Sequence, residues 1–150
     1  MAEIEEKFVV KTDIQRVWNF LLDVNRLVGF VPGCKKIEAV DDKNFDVEME
    51  VKIGPISTHP KLRITITDME PPLRLESIGR GVDQEKASNF SLKNSLALRK
   101  ISEEETEVAY KTDVTITGTL GKFGWGIMKS KAQKMAQEFA AGVKRQLEGD

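Results

Sequence analysis

The amino-acid sequence predicts an α+β fold, an antiparallel sheet with its helices segregated toward the two ends of the chain. Three observations carry this. Apolar residues recur at helical spacing from Ile14 to Leu22, alternate with period two from Cys34 onward, and return to helical spacing between Leu120 and Leu147. On that last segment Met128, Ala132, Met135, Ala136, Phe139 and Val143 form one stripe, flanked by lysines and an arginine. A long amphipathic helix needs a wide apolar surface to lie against. The preceding strands supply one, and a twisted sheet closed by a single helix often encloses a space. A cavity for an apolar ligand is therefore the leading functional question.

Each element has its own signal. Met1–Val10 reads as a strand with Ile4, Phe8 and Val10 on one face, interrupted by Glu6. Thr12-Asp13-Ile14-Gln15 matches a capping box with Thr12 as N-cap. Ile14, Val17, Trp18, Leu21 and Leu22 follow at helical spacing. Asp23 or Asn25 caps a second short helix carrying Val24, Leu27 and Val28, and Pro32 ends it by disfavouring helical dihedrals at Val31. Lys35–Val40 is a strand and Asp41-Asp42-Lys43-Asn44 a turn. Phe45, Val47, Met49, Val51 and Ile53 then alternate with Asp46, Glu48, Glu50 and Lys52, which predicts one strand with a wet and a buried face. Gly54-Pro55 punctuates it. Leu62, Ile64 and Ile66 mark the next strand, and Glu70-Pro71-Pro72 forces a turn. Leu73–Arg80, Ala87–Lys100 and Glu107–Thr117 complete the sheet, the last two joined by the acidic loop Glu103-Glu104-Glu105. Gly118, Gly121, Gly124 and Gly126 lead into the terminal helix. With no internal repeat and no linker, residues 1–150 read as one domain.

Composition removes several function classes. A hydrophobic fraction of 40% and a charged fraction of 31% are those of a soluble globular chain. The net charge of −1 gives no electrostatic case for nucleic acid. No apolar run approaches the roughly 18 residues of a membrane span. The acidic N-terminus lacks the apolar stretch of a signal peptide, so a cytoplasmic location is expected. A single cysteine, Cys34, excludes an internal disulfide and reads as a small residue tucked into a turn. One histidine, His59, reads as a surface imidazole rather than a ligand, and no metal site or cofactor is expected.

Two constellations remain. The first is soft apolar surface: Met49 in the alternating strand, Met128 and Met135 on the helix stripe, and Phe90, Leu92 and Tyr110 on later strands. Methionine adapts to irregular apolar ligands through its polarizable thioether and rotatable bonds. Asn94 shares a face with Phe90, Leu92, Leu96 and Leu98, and Thr112 shares one with Tyr110 and Val114. A buried amide or phenol needs a partner, which a ligand, a neighbouring strand or a water can supply. The same pattern also fits an ordinary filled core.

The second constellation lies at the start of the terminal helix. If that helix begins at Gly121, Trp125 points with the buried stripe while Phe123 and Ile127 point away from it, beside Lys131 and Lys134, with Lys122 and Lys129 on the other flank. From Lys122 to Leu147 there are six Lys or Arg against one acidic residue, Glu138, whereas Glu38–Glu50 holds six acidic residues and only Lys43. The chain is thus electrically polarised. Exposed apolar groups beside lysines suit an anionic membrane surface or an acidic partner protein; a solvated basic face is the plainer reading.

These residues also carry a resemblance. Val17-Trp18-Asn19-Phe20-Leu21, Val31-Pro32-Gly33-Cys34, Val51-Lys52-Ile53-Gly54-Pro55-Ile56 and Ile116-Thr117-Gly118-Thr119-Leu120-Gly121-Lys122-Phe123-Gly124 resemble, in order, the carbon monoxide dehydrogenase G-subunit family. That family sits within the START-like and birch-pollen-allergen-like superfamily. The resemblance implies a helix-grip fold: a curved seven-stranded antiparallel sheet around a long C-terminal helix, with two short helices after the first strand. It also implies an apolar tunnel and an accessory role beside a molybdenum-containing oxidoreductase, either carrying quinone or recruiting the enzyme to the inner face of the membrane. Thr58-His59-Pro60 departs from the family's pattern after Gly-Pro-Ile, and Pro60 implies an edge or a bulge there.

The expectation is then a non-catalytic module holding a lipid or isoprenoid quinone between sheet and helix. Its expected lining is Trp18, Leu21, Phe30, Met49, Val51, Ile64, Phe90, Leu92, Asn94, Tyr110, Met128, Met135 and Phe139. Lys122, Phe123, Ile127, Lys129, Lys131 and Lys134 are the expected docking face. Two rivals stand beside it: a cyclase- or hydratase-type enzyme, for which Tyr110 and Glu6 are the main titratable groups on buried faces, and a structural adaptor with a solid interior.

Overall fold

The computed structural model of the chain describes residues 2–149. In chain order the elements are β1 (Ala2–Val10), α1 (Ile14–Leu22), α2 (Val24–Leu27), β2 (Cys34–Ala39), β3 (Asn44–Met49), β4 (Val51–Ile53), β5 (Ile56–Thr58), β6 (Lys61–Glu70), β7 (Arg74–Asp83), β8 (Ser88–Ser102), β9 (Glu105–Gly118) and α3 (Trp125–Glu148). A 3-10 turn over Leu120–Phe123 precedes α3.

The seven long strands form one antiparallel sheet in the order β1-β9-β8-β7-β6-β3-β2, curled into a half-barrel around α3. β4 and β5 pair only with each other, as a separate two-stranded sheet. The alternation from Phe45 to Ile53 therefore does not run as one strand. It breaks at Glu50, whose amide donates to the Gly33 carbonyl at 2.7 Å instead of to a strand neighbour. Gly33 sits at φ +78, and a Cβ there would lie 2.8 Å from the Glu50 carbonyl oxygen. The Pro-Gly-Cys turn thus needs its glycine to approach β3 this closely. Gly54, with φ +61, opens the two-residue loop between Ile53 and Ile56, the position where such hairpin loops take glycine.

Two interior glycines shape the sheet. Cβ atoms on Gly79 and Gly81 of β7 would meet Ile64 Cδ1 at 2.6 Å and the Lys61 carbonyl oxygen at 2.0 Å. Their absence lets β6 and β8 side chains close over β7. Register shifts at Ile66/Asp68, Cys34/Lys36 and Lys100/Ser102 add local bends.

The helices follow their caps. Asp13, not Thr12, is the N-cap of α1, its carboxylate accepting from the Arg16 amide at 2.9 Å. Thr12 is instead held by its carbonyl, which accepts from the Thr106 hydroxyl at 2.9 Å. Gln15 does not reach back to a cap but bonds Asn19 across one turn at 2.9 Å. Asp23 caps α2 through the Asn25 and Arg26 amides. The terminal helix does not run unbroken from Leu120: Gly124, at φ +88, separates the 3-10 turn from α3. Its far end is tied down by Lys11 N to Glu148 Oε2 at 2.8 Å and Arg16 Nη1 to the Leu147 carbonyl at 3.3 Å.

The packed core lies where α1 meets the second half of α3. Val10, Val17, Phe20, Val108 and Val143 are fully buried, with Trp18, Leu21, Leu98 and Leu147 beside them. Phe30 stacks edge-on against Phe20, with ring centroids 5.4 Å apart, and packs over Gly142 of α3.

Candidate ligand-binding site

Away from α1, the sheet and α3 do not touch throughout. A cavity of about 160 Å³ lies between the first turns of α3, the β4–β5 hairpin and strands β6, β8 and β9. Met49, Val51, Ile53, Leu62, Phe90, Leu92, Val114 and Ile116 line it from the strands, and Trp125, Met128, Lys131, Ala132 and Met135 from the helix. A second hollow of about 320 Å³ continues along α3 toward Tyr110 and Phe139, with Ile4, Val31, Pro32, Asn94 and Thr112 in its wall. The two share Leu92, Val114, Ala132 and Met135. A purely apolar void of about 150 Å³ stays dry and takes a benzene-sized molecule; pockets for larger ligands run to roughly 300–1,000 Å³.

Polar groups at the walls are satisfied within the protein. The Tyr110 hydroxyl donates to the Ala136 carbonyl at 2.9 Å and so fastens α3 to β9, while its ring meets Phe139 edge-on at 5.8 Å. Burial, together with the charge of Glu6, pushes this phenol well above its ordinary value. Asn94 Nδ2 donates to Ser77 Oγ at 3.1 Å, and its Oδ1 accepts from Thr112 Oγ1 at 3.0 Å.

The hairpin that covers the first cavity is clasped at its base by Asp83. This carboxylate is 3% exposed. It accepts from Thr58 Oγ1 at 2.5 Å, from the His59 amide at 2.9 Å and from the Lys86 amide at 3.2 Å. Burial alone would raise its pKa; the three hydrogen bonds and the Lys86 charge outweigh burial and hold it below the ordinary carboxylate value. The Thr58-His59-Pro60 departure thus becomes a buried joint, with Thr58 1% exposed and the Pro60 carbonyl accepting from the Met49 amide at 2.9 Å. Pro60 stands just ahead of β6, where no ladder donor is required of it. His59 itself is exposed, its Nε2 3.2 Å from Glu50 Oε2. Cys34 is half-buried, its Sγ 3.8 Å from the Lys36 carbonyl, and burial raises its thiol.

Of the residues expected to line a ligand space, Met49, Val51, Phe90, Leu92, Met128 and Met135 converge on the first cavity, and Asn94, Tyr110 and Phe139 on its continuation. Trp18, Leu21 and Phe30 do not: they belong to the packed cluster under α1. Ile64 lies on the same side of the sheet but against Gly79, outside both hollows. Sequence reasoning left out Ile53, Thr58, Pro60, Leu62, Val114, Ile116, Trp125 and Ala132 from the first cavity's wall, because their places there depend on the β4–β5 hairpin, on strand pairing and on helix phase. On the expected docking face Phe123 and Ile127 are exposed at 44% and 57%. Phe123 belongs to the 3-10 turn rather than to α3. Lys122, Lys129 and Lys134 are exposed as expected, but Lys131 is half-buried and lines the cavity.

The family model for the G subunit of carbon monoxide dehydrogenase (CoxG) matches residues 7–148. The chain belongs to the CoxG family. Solved structures similar to it share its helix-grip fold at low identity. A conserved protein from Geobacillus kaustophilus superimposes with a TM-score of 0.88 at 18% identity, covering 99% of this chain and 96% of that one. A START superfamily protein from Mycobacterium smegmatis gives 0.78 at 10% identity, with coverage of 98% and 97%. The Zhui aromatase/cyclase from Streptomyces sp. R1128 gives 0.74 at 14%, with coverage of 98% and 93%. No curated protein sequence matches this CoxG-family chain significantly. No helix among the described residues is long and apolar enough to cross a membrane, and no group of His, Cys, Asp and Glu among them is placed to hold a metal ion.

Proposed function

We propose that this CoxG-family chain is a non-catalytic module that binds one hydrophobic small molecule, a lipid or an isoprenoid quinone, between its sheet and α3. The observation that carries the reading is the apolar cavity under the first turns of α3 and its continuation along the helix. The family description supports service to a carbon monoxide dehydrogenase-like oxidoreductase; that this enzyme contains molybdenum is what the family resemblance implies. A non-catalytic role is supported by the walls: Tyr110, the phenol in the lining, spends its hydroxyl on Ala136, and no carboxylate lines either hollow. General acid–base work needs a titratable group with a shifted pKa that reaches the substrate, and the one ionisable side chain in the first cavity's wall, Lys131, stands beside apolar residues with no second titratable group to work with it.

The proposal includes peripheral contact with an anionic membrane from the cytoplasmic side. Phe123 and Ile127 stand exposed next to Lys122, Lys129 and Lys134, at the same end of α3 as the first cavity. Apolar side chains among lysines match the chemistry of such a surface. A ligand entering from the bilayer would then have a short path to the cavity.

The decisive experiment is native mass spectrometry of the purified chain, followed by extraction of whatever it carries. We expect a hydrophobic molecule at one per chain, or uptake of an added quinone or fatty acid by emptied protein. A chain that is always empty and takes up neither would end the proposal in favour of a structural adaptor.

A further inference from the structure

The polar groups around the two hollows are nearly all committed. Thr58 donates to Asp83, Tyr110 to Ala136, and Asn94 is occupied by Ser77 and Thr112. The exception is Lys131, which lines the first cavity and is half-buried. Among the described residues no acidic group lies within ion-pair distance of its amine, since the ion pairs engage lysines and arginines of the strands and turns. The nearest acid along its own helix is Glu138, two turns on.

A lysine in this position lays its methylene stem along apolar surface and keeps its charge at the water boundary. It gives the cavity a directional end. An anionic head placed there gains charge-assisted hydrogen bonds. The other hollow, near Tyr110 and Phe139, has no lysine or arginine in its wall, so a carboxylate there would meet no cation. A neutral carbonyl at the mouth would accept only an ordinary hydrogen bond and gain no charge pairing with the ammonium.

Resting on the reading of the cavity as a ligand site, we infer that its ligand is an amphiphile with an anionic head, a long-chain carboxylate. Lys131 fixes the head at the mouth, and the tail runs past Met135 toward Phe139. Met135, in the wall common to both hollows, supplies a side chain flexible enough to let a chain pass.

The test uses the full chain with cis-parinaric acid and its methyl ester, which share one fluorescent tail and differ only in head charge. Wild type should bind the acid about tenfold more tightly than the ester, the scale of a hydrogen bond to a charged group. Lys131→Met, which keeps the stem, should erase that preference with ester binding unchanged, and Lys131→Glu should reverse it. Lys134→Met, one turn away and exposed, should retain it. Equal binding of acid and ester by wild type, or equal weakening of both by Lys131→Met, would overturn the head-group assignment and leave the cavity standing as a ligand site. Binding of neither molecule by wild type would overturn the carboxylate assignment, and the uptake of added quinone would then decide whether the cavity is a ligand site at all.

Discussion

The two halves of α3 carry the same kind of apolar stripe and meet different fates. From Phe139 to Leu147 the helix lies over β1 and shares one buried cluster with α1, in which Phe20, Val17, Val10 and Val143 are fully buried. From Trp125 to Met135 it faces a hollow roofed by a two-stranded hairpin. The difference comes from what lies opposite. Helix α1 presents a tryptophan, a phenylalanine and leucines at helical spacing, enough volume to fill the space. The β4–β5 hairpin brings Val51 and Ile53 on strands of three residues each, which cannot.

That contrast is open to direct challenge by mutation. The largest effect should come from Phe20→Ala in the filled half, a loss of about 3–5 kcal/mol in denaturant unfolding. Phe90→Ala, at a wall already facing empty space, should cost only about 1–2 kcal/mol. Equal costs would mean that the hollow is as well packed as the core.

The next effect concerns the clasp. Asp83→Asn should cost about 1–3 kcal/mol at neutral pH, because its amide cannot reproduce all three acceptor contacts. The sign with pH follows from the lowered carboxylate. Its contribution is fully present above the ordinary value near 3.8 and is lost as pH falls through the depressed value in the folded protein. Urea titrations at pH 7 and pH 3 should therefore show a smaller gap between variant and wild type in acid. A gap that grows in acid would show that the carboxylate is not what secures the hairpin.

The smallest effect on stability should be that of Phe123→Ser with Ile127→Ser, within about 0.5 kcal/mol for each exposed site. Flotation with anionic phospholipid vesicles should nonetheless fall several-fold. Unchanged flotation would reduce the basic end of α3 to a solvated surface.

Periodicity carries much of the architecture. The faces of β3, β6 and β8, the helix stripe and the turn at Asp41 all follow from local spacing. What escapes it is non-local. The strand break at Glu50 has no glycine or proline to announce it in Glu48-Met49-Glu50-Val51; it is made by the Gly33 carbonyl, which only the folded chain brings there. At the start of α1 the Thr12 hydroxyl, which a cap at Thr12 would need, accepts from Arg16 Nη1 at 3.4 Å, and Thr106 holds the Thr12 carbonyl across a long stretch of sequence. Trp18, Leu21 and Phe30 read as ligand-space lining because an apolar side chain has the same pattern whether its neighbour is another side chain or a void. Lys131 shows the reverse case. Helix phase alone sets it among the docking lysines, and a modest rotation brings it to the cavity edge.

The hairpin roof has a further consequence for exchange. Its strands bond only to each other, and it is joined to the rest of the chain at the Gly33–Glu50 contact on one side and at Asp83 on the other. Lifting it would break those joints and leave every ladder of the seven-stranded sheet intact. The free energy of opening the roof is thereby uncoupled from the free energy of global unfolding. On the proposed reading of the cavity as a ligand site, exchange through the roof would leave the scaffold's stability untouched.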